Sequence, residues 1–131
     1  MPGGAAPERQ NLRDRVNACL ASGQFAEGVA LLEEPLRQHP RDAEILRLAA
    51  DVLYRAWNSG QAAHFAERAE AVESHPATML IVADHRMRAG ETDGSLALCE
   101  RVLAAHPGHL HTRMVMARAL ESAVRAAEAR A

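Results

Sequence analysis

The sequence predicts an all-α fold: an α-solenoid of about three helix pairs closed by a C-terminal capping helix. Three observations carry this prediction. Apolar residues recur at 3–4 spacing through most of the chain. Two punctuation marks, a glycine and a His-Pro step, each recur three times at a similar interval. Hydrophobic residues make up 48% of the chain and aromatics only 3%, a mixture rich in Ala, Leu, Val and Met that suits close-packed helices better than strands.

The elements follow in order. The 131 residues suffice for one domain, expected over 8–130, after a segment over 1–7 expected to be disordered. Glycines stand at Gly23, Gly60 and Gly90, and His-Pro steps at His39-Pro40, His75-Pro76 and His106-Pro107. Each proline follows its glycine by 17, 16 or 17 residues, and a fixed self-similarity of this length signals stacked helical repeats. The repeats are placed at 8–40, 41–76 and 77–107, with the terminal helix at 109–129. Helices are expected at 8–22, 24–38, 42–58, 61–74, 77–89, 92–105 and 109–129. Phe25, Val29, Leu32 and Leu36 make one stripe; Ile45, Leu46, Ala49, Ala50, Val52 and Leu53 a second; Leu96, Cys99, Val102 and Leu103 a third. The glycines suit the turn inside each pair, where positive φ costs them little. The prolines suit the start of the next pair, where a missing N–H costs little. Asp42 is placed to cap the helix it precedes, and Thr92 or Asp93 to cap a later one. Pro35 should kink or shorten the second helix, since it removes the bond back to Leu31. The turn through Trp57, Asn58, Ser59 and Gly60 reads as longer than its counterparts, with the preceding helix running about one turn further.

Charge and motifs exclude several functions. The formal net charge is −2, without a concentrated basic patch interleaved with aromatics, so nucleic acid is not an expected partner. All 15 basic residues are Arg, which reads mainly as compositional bias. Met1 to Arg9 has no apolar core and no run reaches the length of a membrane span, so no membrane association and a cytoplasmic location are expected. Cys19 and Cys99 are far apart and read as buried free thiols. No phosphate-binding Gly loop, GxSxG elbow or HExxH occurs, so the chain is expected not to be an enzyme and to use no cofactor. Among the seven histidines, His106, His109 and His111 cluster in sequence, but no Cys or carboxylate stands near to complete a metal site.

These features resemble the tetratricopeptide repeat (TPR). Gly90 to Pro107 follows that family's second-helix pattern of Gly turn, small residue, bulky residue, small apolar residue and Pro. Leu46, Ala49, Ala50 and Leu53 match its first helix; Gly23, Phe25, Gly28, Leu32 and Pro40 match in the first unit; Met116, Ala117 and Leu120 suit a closing helix. Pro35, Arg86 and the unequal repeat lengths depart from the pattern.

The resemblance implies a right-handed solenoid whose first helices line a concave groove. Residues it would expose there are Arg13, Asn17, Arg47, Asp51, Tyr54, Arg55, Asp84, Arg88, His111 and Arg118. Such a groove would hold a peptide or helix of a protein partner, with Arg gripping carboxylates and Tyr54 offering a stacking surface. Family members that clamp chaperone C-termini use a basic residue and two Asn; Arg13 and Asn17 match, but Asp51 stands in the second Asn's place and would repel a carboxylate. Arg47, Asp51 and Arg55, four apart on one helix, are equally able to neutralise one another. The alternatives to a binding module are a small chaperone or assembly factor of a bacterial secretion or other complex, or the regulatory domain of a larger enzyme. Met114 or Met116 of the last helix, if exposed, would mark a face for homo-oligomer formation, but packing onto the third repeat is the favoured expectation for them.

Overall fold

A computed structural model describes residues 2–131, with side chains from Glu8 onward. Among the described residues, seven helices follow one another: α1 (Pro2–Ala21), α2 (Phe25–Gln38), α3 (Ala43–Arg55), α4 (Ser59–Val72), α5 (Pro76–Arg88), α6 (Thr92–Ala105) and α7 (Leu110–Arg130). The expectation of a disordered segment over 1–7 falls on Met1 and on side chains outside the described residues; the backbone helix of α1 is drawn from Pro2.

The turn inside each pair is built the same way three times. Gln24 N donates to Cys19 O at 2.8 Å, Asn58 N to Leu53 O at 2.9 Å, and Glu91 N to Arg86 O at 2.8 Å. These bonds take up carbonyls that the helix end leaves without partners. They require one residue at positive φ, and those residues are Gly23 (75°), Trp57 (63°) and Gly90 (86°). This corrects the sequence reading. Gly60 lies inside α4, Trp57 takes the left-handed position, and α3 ends at Arg55 without the extra turn.

The true period is therefore more even than the Gly and His-Pro marks suggest. The left-handed positions 23, 57 and 90 lie 34 and 33 residues apart. The residues capping α3, α5 and α7 are Asp42, His75 and His109, spaced 33 and 34. Asp42 accepts from Glu44 N (3.0 Å) and Ile45 N (3.3 Å), as expected of an N-cap. His75 accepts from Ala77 N at 3.1 Å, with Pro76 in the first helical turn, where its missing N–H costs nothing. His75 is thus a cap, whereas His39 and His106 close α2 and α6. Gly60 and His75-Pro76 are both displaced within the second repeat, so their mutual spacing matches the others while their positions do not. Two smaller expectations also change. The N-cap of α6 is Glu91, without a side-chain bond, in place of Thr92 or Asp93. Pro35 does not shorten α2: it sits in the last turn, where its own carbonyl accepts from His39 N at 2.8 Å.

Packing is sequential. Each helix packs on the next, and α1, α3, α5 and α7 also pack on one another in turn. The first helices therefore form one layer and the second helices the other. The core runs through the stack as three clusters. Val16, Leu32, Ile45, Ala49 and Val52 fill the first; Ala50, Leu53, Ala62, Ala66, Ile81 and Val82 the second; Leu80, Ala83, Cys99 and Val115 the third. Small residues at one register, Gly28, Ala62 and Ser95, bring the two layers together. A Cβ on Gly28 would lie 3.4 Å from Val52, and Ser95 is buried with its hydroxyl donating to Ala83 O at 2.7 Å. Cys19 and Cys99 are buried free thiols, and burial pushes the Cys99 thiol up.

Candidate functional site

The layer of first helices faces a groove of about 840 Å³. Leu48, Leu80 and Ile81 give it an apolar floor. Arg13, Glu44, Arg47, Asp51, Arg55, His75, His109 and His111 surround that floor, with Tyr54 toward one end. The position of these groups follows from the repeat: α1, α3 and α5 lie side by side, and the caps of α5 and α7 put His75 and His109 on the same side.

Most of the expected residues meet here or in an adjoining pocket, but their states differ. Arg13 is occupied: its Nε donates to Glu44 at 2.8 Å, and its Nη2 reaches the same carboxylate. Arg55 pairs with Asp51 at 3.2 Å, so these two do neutralise each other. Arg47 does not join them. The nearest carboxylate, that of Glu73, lies 3.8 Å from its Nη1, and that nitrogen is buried without a hydrogen-bond partner among the described residues. A guanidinium held this way has an unmet donor, which an incoming acid would satisfy. His75 stands beside it; partial burial, then the Arg47 charge, holds the imidazole pKa below its ordinary value. That favours the neutral ring whose Nδ1 caps α5.

Three assignments are corrected. Asp84 was expected to be exposed, yet it is fully buried, because this stretch of α5 is packed on every side: each residue from Thr78 to Asp84 is buried. Tyr54 is half-buried, and its hydroxyl donates to Asp84 Oδ2 at 2.7 Å. Burial, then this bond and the Asp84 charge, push the Tyr54 phenol up to about 12. Asn17 is exposed on α1 and lines neither the groove nor the pocket next to it. Arg88 and Arg118 line that second pocket, with Tyr54, Arg55, Trp57, Ser59 and Asp84.

The residues that sequence reasoning missed are the floor (Leu48, Leu80, Ile81), the capping histidines His75 and His109, and Glu44. The spacing of Asp42, His75 and His109 was the available signal for the caps. His109 Nδ1 lies 2.8 Å from Thr112 Oγ1, which assigns it to the helix end. Among the described residues, no three His, Cys, Asp or Glu side chains gather as a metal set, and no helix is long and apolar enough to cross a membrane.

No protein-family model matches the chain, and no curated protein matches its sequence. Solved structures do match its fold. The Sgt2 TPR domain from Aspergillus fumigatus has a TM-score of 0.81 at 18% identity, covering 93% of this chain and 83% of that one. The first TPR domain of human RPAP3 has a TM-score of 0.77 at 15% identity, covering 87% and 91%. The first TPR of Spaghetti (RPAP3), bound to the HSP90 peptide SRMEEVD, has a TM-score of 0.78 at 15% identity, covering 88% and 92%. The chain thus has the tetratricopeptide-repeat fold, an all-α array of helix pairs.

Proposed function

We propose that this chain is a non-enzymatic protein-interaction module that holds a peptide or a helix of a protein partner in the groove between its first helices. The observation that carries the reading is Arg47. Its buried Nη1, without a hydrogen-bond partner among the described residues, stands beside an apolar floor, so the groove offers one charged anchor and one hydrophobic surface together. A partner segment with an acidic residue next to a large apolar one fits that pairing. The fold supports the same reading, since one matched TPR domain is described as bound to an HSP90 peptide. The clamp of a basic residue and two Asn is not the mode: Asn17 lies off the groove, and Asp51 is committed to Arg55.

The test is co-purification from the native host with mass spectrometry, comparing the unmodified chain with Arg47→Glu. Loss of the specific client with unchanged helicity supports the groove. Equal client recovery contradicts it.

A further inference from the structure

Beyond Tyr54 the groove opens into a pocket of about 230 Å³, smaller than the roughly 300–1,000 Å³ of typical small-molecule sites. Three arginines line it. Arg55 is paired with Asp51, and Arg88 with Asp84, each at 3.2 Å. Arg118 makes no ion pair among the described residues. Three guanidinium groups against two carboxylates leave one positive charge. Asp84 is 0% exposed, and while Oδ2 accepts from Tyr54 and Arg88, Oδ1 is buried with no donor among the described residues. A buried carboxylate oxygen without a donor is costly, so the pocket is incomplete as an acceptor site as well as a cationic one. Trp57 stands at its rim, 84% exposed and at a positive φ unfavourable for any residue but glycine.

We propose that this pocket is a second subsite of the partner groove, taking an acidic side chain of the bound segment together with a neighbouring backbone N–H. The carboxylate lies between Arg88 and Arg118, and the N–H donates to Asp84 Oδ1. The proposal rests on the groove reading above and adds the chemistry that reading leaves open. A carboxylate brings the single negative charge that the surplus calls for. A phosphorylated residue brings about −1.5 to −2, more than the surplus neutralises, and leaves net negative charge beside the buried Asp84 carboxylate. Asp84 therefore makes the subsite choose an acidic residue over a phosphorylated one.

The test uses the whole chain and three blocked amino acids as probes: the N-acetyl, N-methylamide forms of aspartate, asparagine and phosphoserine. The readout is the indole Nε1–H resonance of Trp57, which is unambiguous because the sequence contains one Trp. The aspartate probe should shift it saturably at concentrations up to roughly 20 mM, and the asparagine and phosphoserine probes should bind at least about tenfold more weakly. Arg118→Ala, a change at an exposed residue, should weaken the aspartate probe by about tenfold or more. Asp84→Asn should narrow the preference for acid over phosphate; should it fail to fold, Arg118→Ala and the probe series decide. No saturable shift with the aspartate probe, equal binding of either other probe, or an unchanged Arg118→Ala affinity overturns the proposal. If Arg47→Glu loses the client while the probe gives no shift, the subsite fails and the groove reading stands. If the probe behaves as expected and client recovery is insensitive to Arg47→Glu, the groove reading fails on its own.

Discussion

The hydroxyl of Tyr54 on α3 donates to the buried carboxylate of Asp84 on α5 at 2.7 Å, joining the first helices of successive repeats across the groove layer. Tyr54 is the sole tyrosine in the sequence, so a phenolate absorbance titration reads this bond directly. The phenol should ionise near pH 12, against an ordinary 10.0, because burial and then Asp84 oppose the phenolate. The folded value lies above the unfolded one, so the bond's contribution is complete below pH 10 and fades as pH rises toward 12. An ordinary titration in the folded protein would contradict the pairing. Tyr54→Phe should cost about 1–3 kcal/mol in chemical denaturation, because Asp84 then loses a donor.

Trp57 predicts the opposite sign. The left-handed conformation costs an L-residue roughly 1–2 kcal/mol, partly offset by glycine's extra freedom when unfolded. Trp57 is exposed, so Trp57→Gly should stabilise the chain by about 0.5–1 kcal/mol in the same measurement. The matching change Gly23→Ala meets no atom within 4 Å, so its expected loss of about 1 kcal/mol is conformational alone.

Asp42 ends the exposed donors of α3 and also pairs with Arg9. Asp42→Ala should lower stability by about 1 kcal/mol, with the midpoint of thermal unfolding shifting down accordingly. Asp42→Asn keeps the capping oxygen and should recover the capping part of that loss, leaving only what the ion pair of the largely buried Asp42 carboxylate with Arg9 contributes.

The helices were legible because local chemistry wrote them: apolar stripes at 3–4 spacing, Gly23 and Gly90 at left-handed turns, Asp42 at a cap. The second repeat was misread for a physical reason. A left-handed Trp57 carries no sequence signal, since the 6→1 bond from Asn58 N to Leu53 O that closes α3 imposes a conformation that the residue itself disfavours. Gly60, the residue that looked right, sits in a helix. The charged rim of the groove was mostly legible, since first-helix positions follow from the repeat. Its floor was not. Leu80 and Ile81 read as core in any helix, and only the stacking of α3 and α5 turns one side of them toward the groove. Asp84 was misplaced because an aspartate is normally outward-facing; its partner Tyr54 lies 30 residues away, and nothing local announces the pair.

The central claim is that the groove holds the partner, and Arg47→Glu tests it most directly. Among the described residues Arg47 has only the long 3.8 Å pair with Glu73 to lose, and Arg88→Glu is a poorer choice because it would set a second negative charge beside buried Asp84. The measurement is the affinity of the purified chain for the client recovered from the native host, by isothermal titration calorimetry, with circular dichroism run in parallel. The account predicts an affinity reduced by at least about tenfold with an unchanged helical spectrum. An unchanged affinity with an unchanged spectrum would contradict it.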